Sequence, residues 1–115
     1  MVYGADRLIA CSIWLRLFDI CSAKGTETLV YALDGGKANI LANCIQAQIV
    51  NSLGMVDRGI KERPDLCVLR ETSMPAVLVE TAFISNEEDA YKLMYRIEEF
   101  ANAISRGITD AENLF

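Results

Sequence analysis

The sequence predicts an α/β domain, and two segments carry that prediction. Residues 76–80 form a continuous apolar run that ends on a carboxylate, which is typical of a strand buried on both faces of a sheet. In residues 37–53 an apolar side chain recurs every four positions, which predicts an amphipathic helix. The recurring residues are Leu41, Ile45, Ile49 and Leu53. With 115 residues, of which 52% are hydrophobic, the chain suits one compact domain rather than two.

The segments before this helix contain one ambiguous element and one clear strand. Residues 8–13 are apolar but short, so they fit a buried strand or a helical turn equally well. Residues 26–33 are rich in β-branched and aromatic residues, which predicts a strand. Asp-Gly-Gly at 34–36 ends that strand in a turn.

The helix over 37–53 has a defined end and a polar side. Gly54 stands directly after its last apolar residue, where a left-handed residue commonly ends a helix. Four polar residues fall largely off the apolar face: Asn39, Asn43, Gln46 and Asn51.

After the helix, residues 55–61 form a short extended or turn segment, and residues 66–70 read as a short strand. Between them, residues 62–65 form a loop, because Pro64 biases the preceding residue away from helix. Residues 71–75 form a second loop before the strand at 76–80.

The last part of the chain is predicted to be helical. Ser85 followed by Glu88 has the spacing of a capping box, and the acidic residues of that first turn suit a helix N-terminus. A second helical stretch covers residues 94–108, with Gly107 weakening its end. Its predicted apolar face contains Ile97, Phe100, Ala101, Ile104 and Ile108.

Composition excludes several classes of partner. The net charge of -5 lacks the basic face that nucleic acids and anionic membrane surfaces require, so neither is an expected partner. The apolar segment 8–15 is shorter than the ~20 residues of a membrane span, and it makes a poor signal peptide because Arg16 interrupts it. We expect no targeting segment, and the location of the protein stays unknown.

The cysteines do not form a metal-binding or redox motif. Cys11, Cys21, Cys44 and Cys67 contain no C-x-x-C pair, so a zinc ribbon is not supported. We expect free, buried thiols.

Three motifs now stand in order: K-G-T-E-T at 24–28, D-R-G-I-K at 57–61, and L-C-V-L-R-E-T-S-M-P-A-V-L-V-E-T-A-F-I-S-N-E-E-D at 66–89. Together they resemble the zinc-dependent N-acetylmuramoyl-L-alanine amidases of the amidase-3 type, which are bacterial and phage cell-wall hydrolases, endolysins included. The resemblance covers residues 22–108 of one partial domain. Residues 1–21 are divergent, and residues 109–115 are expected to be a tail.

The resemblance implies a fold and a reaction. The family fold is a three-layer α/β/α domain around a twisted, mostly parallel sheet, and we expect this chain to lack the N-terminal strands and helix of that domain. The family hydrolyses the amide between N-acetylmuramic acid and L-alanine of peptidoglycan with zinc-activated water.

The same resemblance implies roles for individual residues. Glu80 matches the general base, which a carboxylate at the carboxyl end of a parallel sheet is well placed to be. Arg70 could hold a stem-peptide carboxylate, or it could pair with Glu80 or Glu71. Arg58, with Asp57, is expected at the rim of the substrate cleft, and Asn86 near Glu80 or bonded to the backbone.

The zinc ligands of the family are two histidines and a glutamate, and the chain contains no histidine. Trp14 stands at one histidine position and Arg16 at a neighbouring asparagine position. An indole cannot ligate zinc because its N–H is a donor only, and a catalytic zinc needs three protein ligands. We therefore expect no metal in this chain, although the family uses zinc.

Two kinds of function stay open. The chain resembles a peptidoglycan amidase that we expect to be inactive in isolation, and the alternative is a non-catalytic muropeptide-binding or structural remnant domain. The peptidoglycan stem peptide is the expected partner of an amidase or a muropeptide-binding domain, whereas a purely structural domain would bind no ligand. An exposed sheet edge would favour self-association.

Overall fold

The computed structural model describes residues 2–4, 7–14 and 23–115, with backbone only for the first two ranges. Trp14 is therefore described by its backbone, and Arg16 and Cys21 lie outside the described residues. The elements are β1 (Val2–Gly4), β2 (Arg7–Trp14), β3 (Thr26–Val30), α1 (Lys37–Leu53), β4 (Asp57–Glu62), α2 (Cys67–Arg70), β5 (Ala76–Phe83), α3 (Glu87–Tyr95) and α4 (Ile97–Glu112).

The described strands form one mixed sheet in the order β1-β2-β5-β3-β4. β2 runs parallel to β5 and β3 runs parallel to β4, whereas β1–β2 and β3–β5 are antiparallel. The α/β fold class is confirmed, and the sheet is mixed where a mostly parallel one was expected. β5 lies at its centre, which explains its continuous apolar sequence.

Helices cover both faces of this sheet, which gives the three expected layers. On one face, α1 and α4 pack over Val77 and Val79 of β5. On the other face, Leu69 of α2 packs with Leu29 and Ala76. Alternate residues of β5 thus serve opposite cores, as the two-residue period of a strand requires. No helix among the described residues is long and apolar enough to cross a membrane.

The closest packing of helices occurs where α4 crosses α1. Gly107 is buried, and a Cβ built on it would lie 2.5 Å from the Cα of Ile45. The glycine therefore permits backbone contact between the two helices, and it lies inside α4 rather than weakening its end. The buried face of α4 is accordingly formed by small residues with one aromatic: Phe100, Ala103, Gly107 and Ala111.

α4 also differs from prediction in its bounds and orientation. It continues to Glu112, four residues past the predicted end, so the expected tail begins inside the helix. Ile97 and Ala101 of the predicted apolar face are exposed, and Ile97 directly follows the turn at Arg96 that separates α3 from α4. Phe100, Ile104 and Ile108 of the predicted face do pack against the core, next to the small residues around Gly107.

Several elements agree with the sequence, and one is wrong. α1 has its predicted bounds, with Gly54 at φ 65 ending it, and the ambiguous segment at 8–13 belongs to strand β2. Residues 66–70 were predicted as a strand but form the one-turn helix α2, in which the Arg70 N–H donates to the Leu66 carbonyl. A short apolar run fits either state, and here it covers a sheet whose central strand already has two neighbours.

We expect Gly107→Ala to lower the free energy of unfolding by about 1–3 kcal/mol, since the methyl group would meet backbone atoms of α1 that cannot rotate away. Urea denaturation measures the change. Ser105→Ala, on the exposed side of the same helix, is the control and should leave stability within about 0.5 kcal/mol. Equal stability of Gly107→Ala and wild type would contradict the close helix contact.

Candidate functional site

The candidate site lies near the carboxyl end of β5, around Glu80. This residue pairs with Ser12 of β2 on one side and with Glu27 of β3 on the other. Glu80 and Glu27 are each only 6% exposed. Directly opposite residues on antiparallel strands project to the same face. Two carboxylates are therefore buried side by side.

Two irregularities in the sheet lie at this same level. Ser12 pairs with Glu80 while Trp14 pairs with Phe83, so β5 has one extra residue there. Such a bulge reverses the alternation of side chains. Ala82 therefore packs in the same core as Val79, and Phe83 lies on the face of Glu80.

The second bulge lies in β4. Thr26 pairs with Asp57 and Thr28 pairs with Ile60, so β4 has one extra residue opposite β3. Gly59 adopts φ 77 at this point, a conformation that favours glycine. Its N–H donates to the Oδ1 atom of Asp57 at 2.8 Å. Asp57 therefore holds the bulge within the D-R-G-I-K motif.

Arg58 extends from this bulge across the sheet. Its Nε lies 3.5 Å from Oε2 of Glu27, and its Cζ lies 4.8 Å from the centre of the Phe83 ring. The guanidinium thus makes an ion pair and a cation–π contact together. Its side chain is still 38% exposed, so it lies between the buried carboxylates and the solvent.

The opposite face of β3 is fixed by Gln46 of α1. The Thr28 hydroxyl donates to Gln46 Oε1, and Gln46 Nε2 donates to the Thr26 carbonyl and to Asp57 Oδ1. Gln46 was placed off the apolar face of α1, but it is buried. Its burial is tolerated because its amide is hydrogen-bonded at both ends.

Asp89 joins two of the motifs behind the site. Its Oδ2 atom accepts hydrogen bonds from the Gly25 N–H at 2.8 Å and the Phe83 N–H at 3.0 Å. Asn86 is the N-cap of α3, and its side chain accepts from the Asp89 N–H. The N-cap predicted at Ser85 is therefore wrong by one residue. The hydroxyl of Ser85 is buried without a hydrogen-bond partner among the described residues.

Arg70 lies at the end of α2 and its guanidinium is turned to local partners. Its Nε lies 2.8 Å from Oε1 of Glu71, and Nη1 donates to the Asp65 carbonyl at 3.4 Å. The hydrogen bond to Glu71 raises the pKa of Arg70. Of the alternatives open for this residue, pairing with Glu71 is the one that the structure contains.

Arg63 is a member of the site that sequence reasoning missed. Its hydrogen bond to Asp65 is the main cause that raises its pKa, and the charges of Glu27 and Glu80 act in the same direction. Both carboxylates therefore influence one exposed cation on the segment after β4. Sequence reasoning missed Glu27 as well as Arg63, because strand register cannot be read from motif spacing.

The described residues do not fit a zinc site. No group of three or more histidine, cysteine or acidic side chains among them could hold a metal ion. Both described cysteine side chains are free thiols, with Cys44 half-buried and Cys67 exposed. The expectation of burial is thus wrong for Cys67, because α2 turns it outward. Burial, followed by the nearby charge of Asp110, raises the pKa of Cys44.

Comparison with known proteins gives a consistent family. The family model described as N-acetylmuramoyl-L-alanine amidase matches residues 12–110. The uncharacterized protein YqiI of Bacillus subtilis is 44% identical over 94 residues, which cover 77% of this chain and 44% of YqiI. The amidase LytC of B. subtilis is 37% identical over 99 residues, which cover 84% of this chain and 20% of LytC.

A solved structure agrees with these relatives. The amidase AmiC2 of Nostoc punctiforme superposes with a TM-score of 0.80 at 28% identity, over 93% of this chain and 58% of AmiC2. The chain thus spans less than two thirds of the length of each of these three proteins.

We expect Asp89→Ala to destabilise the fold strongly, because it removes the acceptor of two buried N–H groups. Each unsatisfied group costs about 1–3 kcal/mol, and chemical denaturation measures the sum. Glu87→Ala is the matched control, since Glu87 is an exposed acidic residue of the same first turn. A similar loss for both variants would mean that the charge at the helix N-terminus matters and the buried bonds do not.

Proposed function

Since this chain belongs to the N-acetylmuramoyl-L-alanine amidase family, we propose that it serves the hydrolysis of the amide between N-acetylmuramic acid and L-alanine in peptidoglycan. Its part in that reaction is to supply the proton acceptor and cationic groups of the substrate cleft. The proposal concerns the catalytic domain as a whole, of which this chain covers a part.

The observation that carries the proposal is the burial of Glu80 near the carboxyl end of the central strand. A carboxylate removed from water accepts a proton more readily than one in water, and a general base has to accept a proton from the attacking water. Thr26 Oγ1 donates to the Glu80 carbonyl at 3.1 Å, which fixes the backbone that carries this side chain.

The cationic groups suit an acidic peptide. Arg58 lies at the rim, and Arg70 is exposed and held by a surface pair with Glu71. A surface ion pair is weak because water screens it, so a substrate carboxylate can exchange with Glu71. Arg70 is therefore our first candidate for binding the stem peptide. Asn86 instead caps α3 and supports the backbone near Glu80.

Zinc is the cofactor of the family, but the part of the chain that the structure describes has no group of side chains that fits it. The 115 residues contain no histidine, which supplies two of the three zinc ligands in the family. A zinc ion would need ligands from another polypeptide segment, so we propose that the isolated chain does not hydrolyse peptidoglycan.

The retained cationic rim beside a missing ligand set favours a second candidate, which is non-catalytic binding of muropeptides.

Self-association through a sheet edge stays a proposal too. Among the described strands β4 is an edge, and Arg58, Lys61 and Glu62 lie on it. Charged residues on an edge strand oppose edge-to-edge pairing.

We expect the purified chain with added zinc to release no free amino groups from peptidoglycan. A chimera in which residues 22–108 of this chain replace the corresponding segment of LytC, so that LytC keeps the histidine at the position of Trp14, should release them. Glu80→Gln in that chimera should lower the rate by a factor of about 10²–10⁴, the usual contribution of a general base. Circular dichroism checks that both chimeras fold. A folded Glu80→Gln chimera with full activity would refute the proposed role of Glu80.

For the binding function, we expect isothermal titration calorimetry to detect a muramoyl-tripeptide, and Arg70→Met to weaken binding about tenfold, as loss of a charged hydrogen bond does. Arg106→Met is the control, because Arg106 bonds to Gln48 and Ser52 on the face that carries α1 and α4. No heat from the wild-type chain, or equal weakening by both variants, would count against this site.

A further inference from the structure

We propose that Glu27 is a positioning residue for Glu80, and that the Glu27–Arg58 ion pair sets how readily Glu80 takes up a proton. The inference rests on the proposed role of Glu80 as proton acceptor. It adds a second carboxylate and a guanidinium to that role.

The register of β3 and β5 places Glu27 beside Glu80. Glu27 and Glu80 are direct partners in an antiparallel pair, where Cβ atoms lie about 4.5–5.5 Å apart. Like charges directly opposite are unfavourable, and burial strengthens their interaction because little water screens it. A sheet held together by packing alone would be better served by apolar residues at both positions. The pair therefore calls for an explanation beyond stability.

Two bulges in the sheet fix the position of Arg58. The bulge at Gly59 brings its guanidinium to Glu27, and the bulge in β5 brings the Phe83 ring beneath it. Phe83 is 1% exposed, so the ring is a fixed platform. Arg58 thus neutralises Glu27 in one defined geometry. A lysine would lack both the planar fork and the stacking surface.

The other charged side chains that the structure describes around β5 have partners of their own. Asp89 of α3 accepts from two backbone N–H groups, and Arg70 of α2 pairs with Glu71. Arg63 donates a hydrogen bond to Asp65, and the negative charges of Glu27 and Glu80 also raise its pKa. Among the described side chains, Glu27 is the charge set directly against Glu80 across the strand pair.

The consequence for proton transfer has a definite sign. A negative Glu27 favours the protonated form of Glu80, because protonation removes the repulsion between them. Arg58 opposes this effect by its positive charge. Glu27 therefore strengthens Glu80 as a proton acceptor, and Arg58 keeps Glu80 ionised until the proton arrives.

The test is a pH titration of the full chain with ¹³C-labelled glutamate, followed by the carboxyl carbon signals in NMR. Glu80→Gln assigns the Glu80 signal by its disappearance. We expect Glu27→Gln to move the Glu80 midpoint to lower pH and Arg58→Met to move it to higher pH, each by about one unit, as expected for a nearby charge. Glu88→Gln, which alters an exposed carboxylate, is the control and should leave it unchanged.

A merely structural Glu27 would leave the Glu80 midpoint in place in a folded Glu27→Gln protein, and that result would overturn the inference. If Glu27→Gln does not fold, the Arg58→Met titration decides, since an unchanged midpoint there overturns the proposal equally. The titration needs no catalysis. An opposed pair of shifts with an inactive LytC chimera would refute the amidase function alone, whereas an active chimera without shifts would refute only the role of Glu27.

Discussion

Glu27 and Glu80 are two carboxylates buried side by side, and the structure of this part of the molecule depends on how their negative charge is compensated. Such groups are tolerated only with compensating charge and hydrogen bonds, and Arg58 is the compensating charge on Glu27. To deliver it, β4 bulges at Gly59, and Asp57 holds the bulge with its carboxylate. Gln46 then ties Asp57 back to β3. The D-R-G-I-K and K-G-T-E-T motifs are thus two halves of one arrangement.

The two faces of the sheet divide the work. One face is an apolar core that joins β3 and β5 to α1 and α4 and depends on the close contact at Gly107. The other face carries a smaller apolar cluster under α2 and, beyond it, the charged residues around Glu80. Asp89 connects the strand ends to α3 by bonding to Gly25 and Phe83. The large apolar core and the buried carboxylates therefore lie on opposite faces of the sheet.

The sequence predicted what depends on local periodicity. The bounds of α1, the end at Gly54 and the buried strand that leads into Glu80 all follow from residue patterns within a few positions. It could not predict Glu27 as the partner of Glu80, because that pairing joins residues 53 positions apart through strand register. The strand prediction for residues 66–70 was wrong for a related reason. A four-residue apolar run takes its conformation from the surface that it covers.

The two bulges make the fold sensitive to the removal of a single residue from β4 or β5. A strand places side chains by odd and even count, and each bulge changes that count once, in β4 opposite β3 and in β5 opposite β2. Removing one residue from either segment would exchange inward and outward positions beyond it, although no residue type had changed. The spacing of these motifs is therefore as much a carrier of information as their letters. Here a deletion is a more severe change than most substitutions.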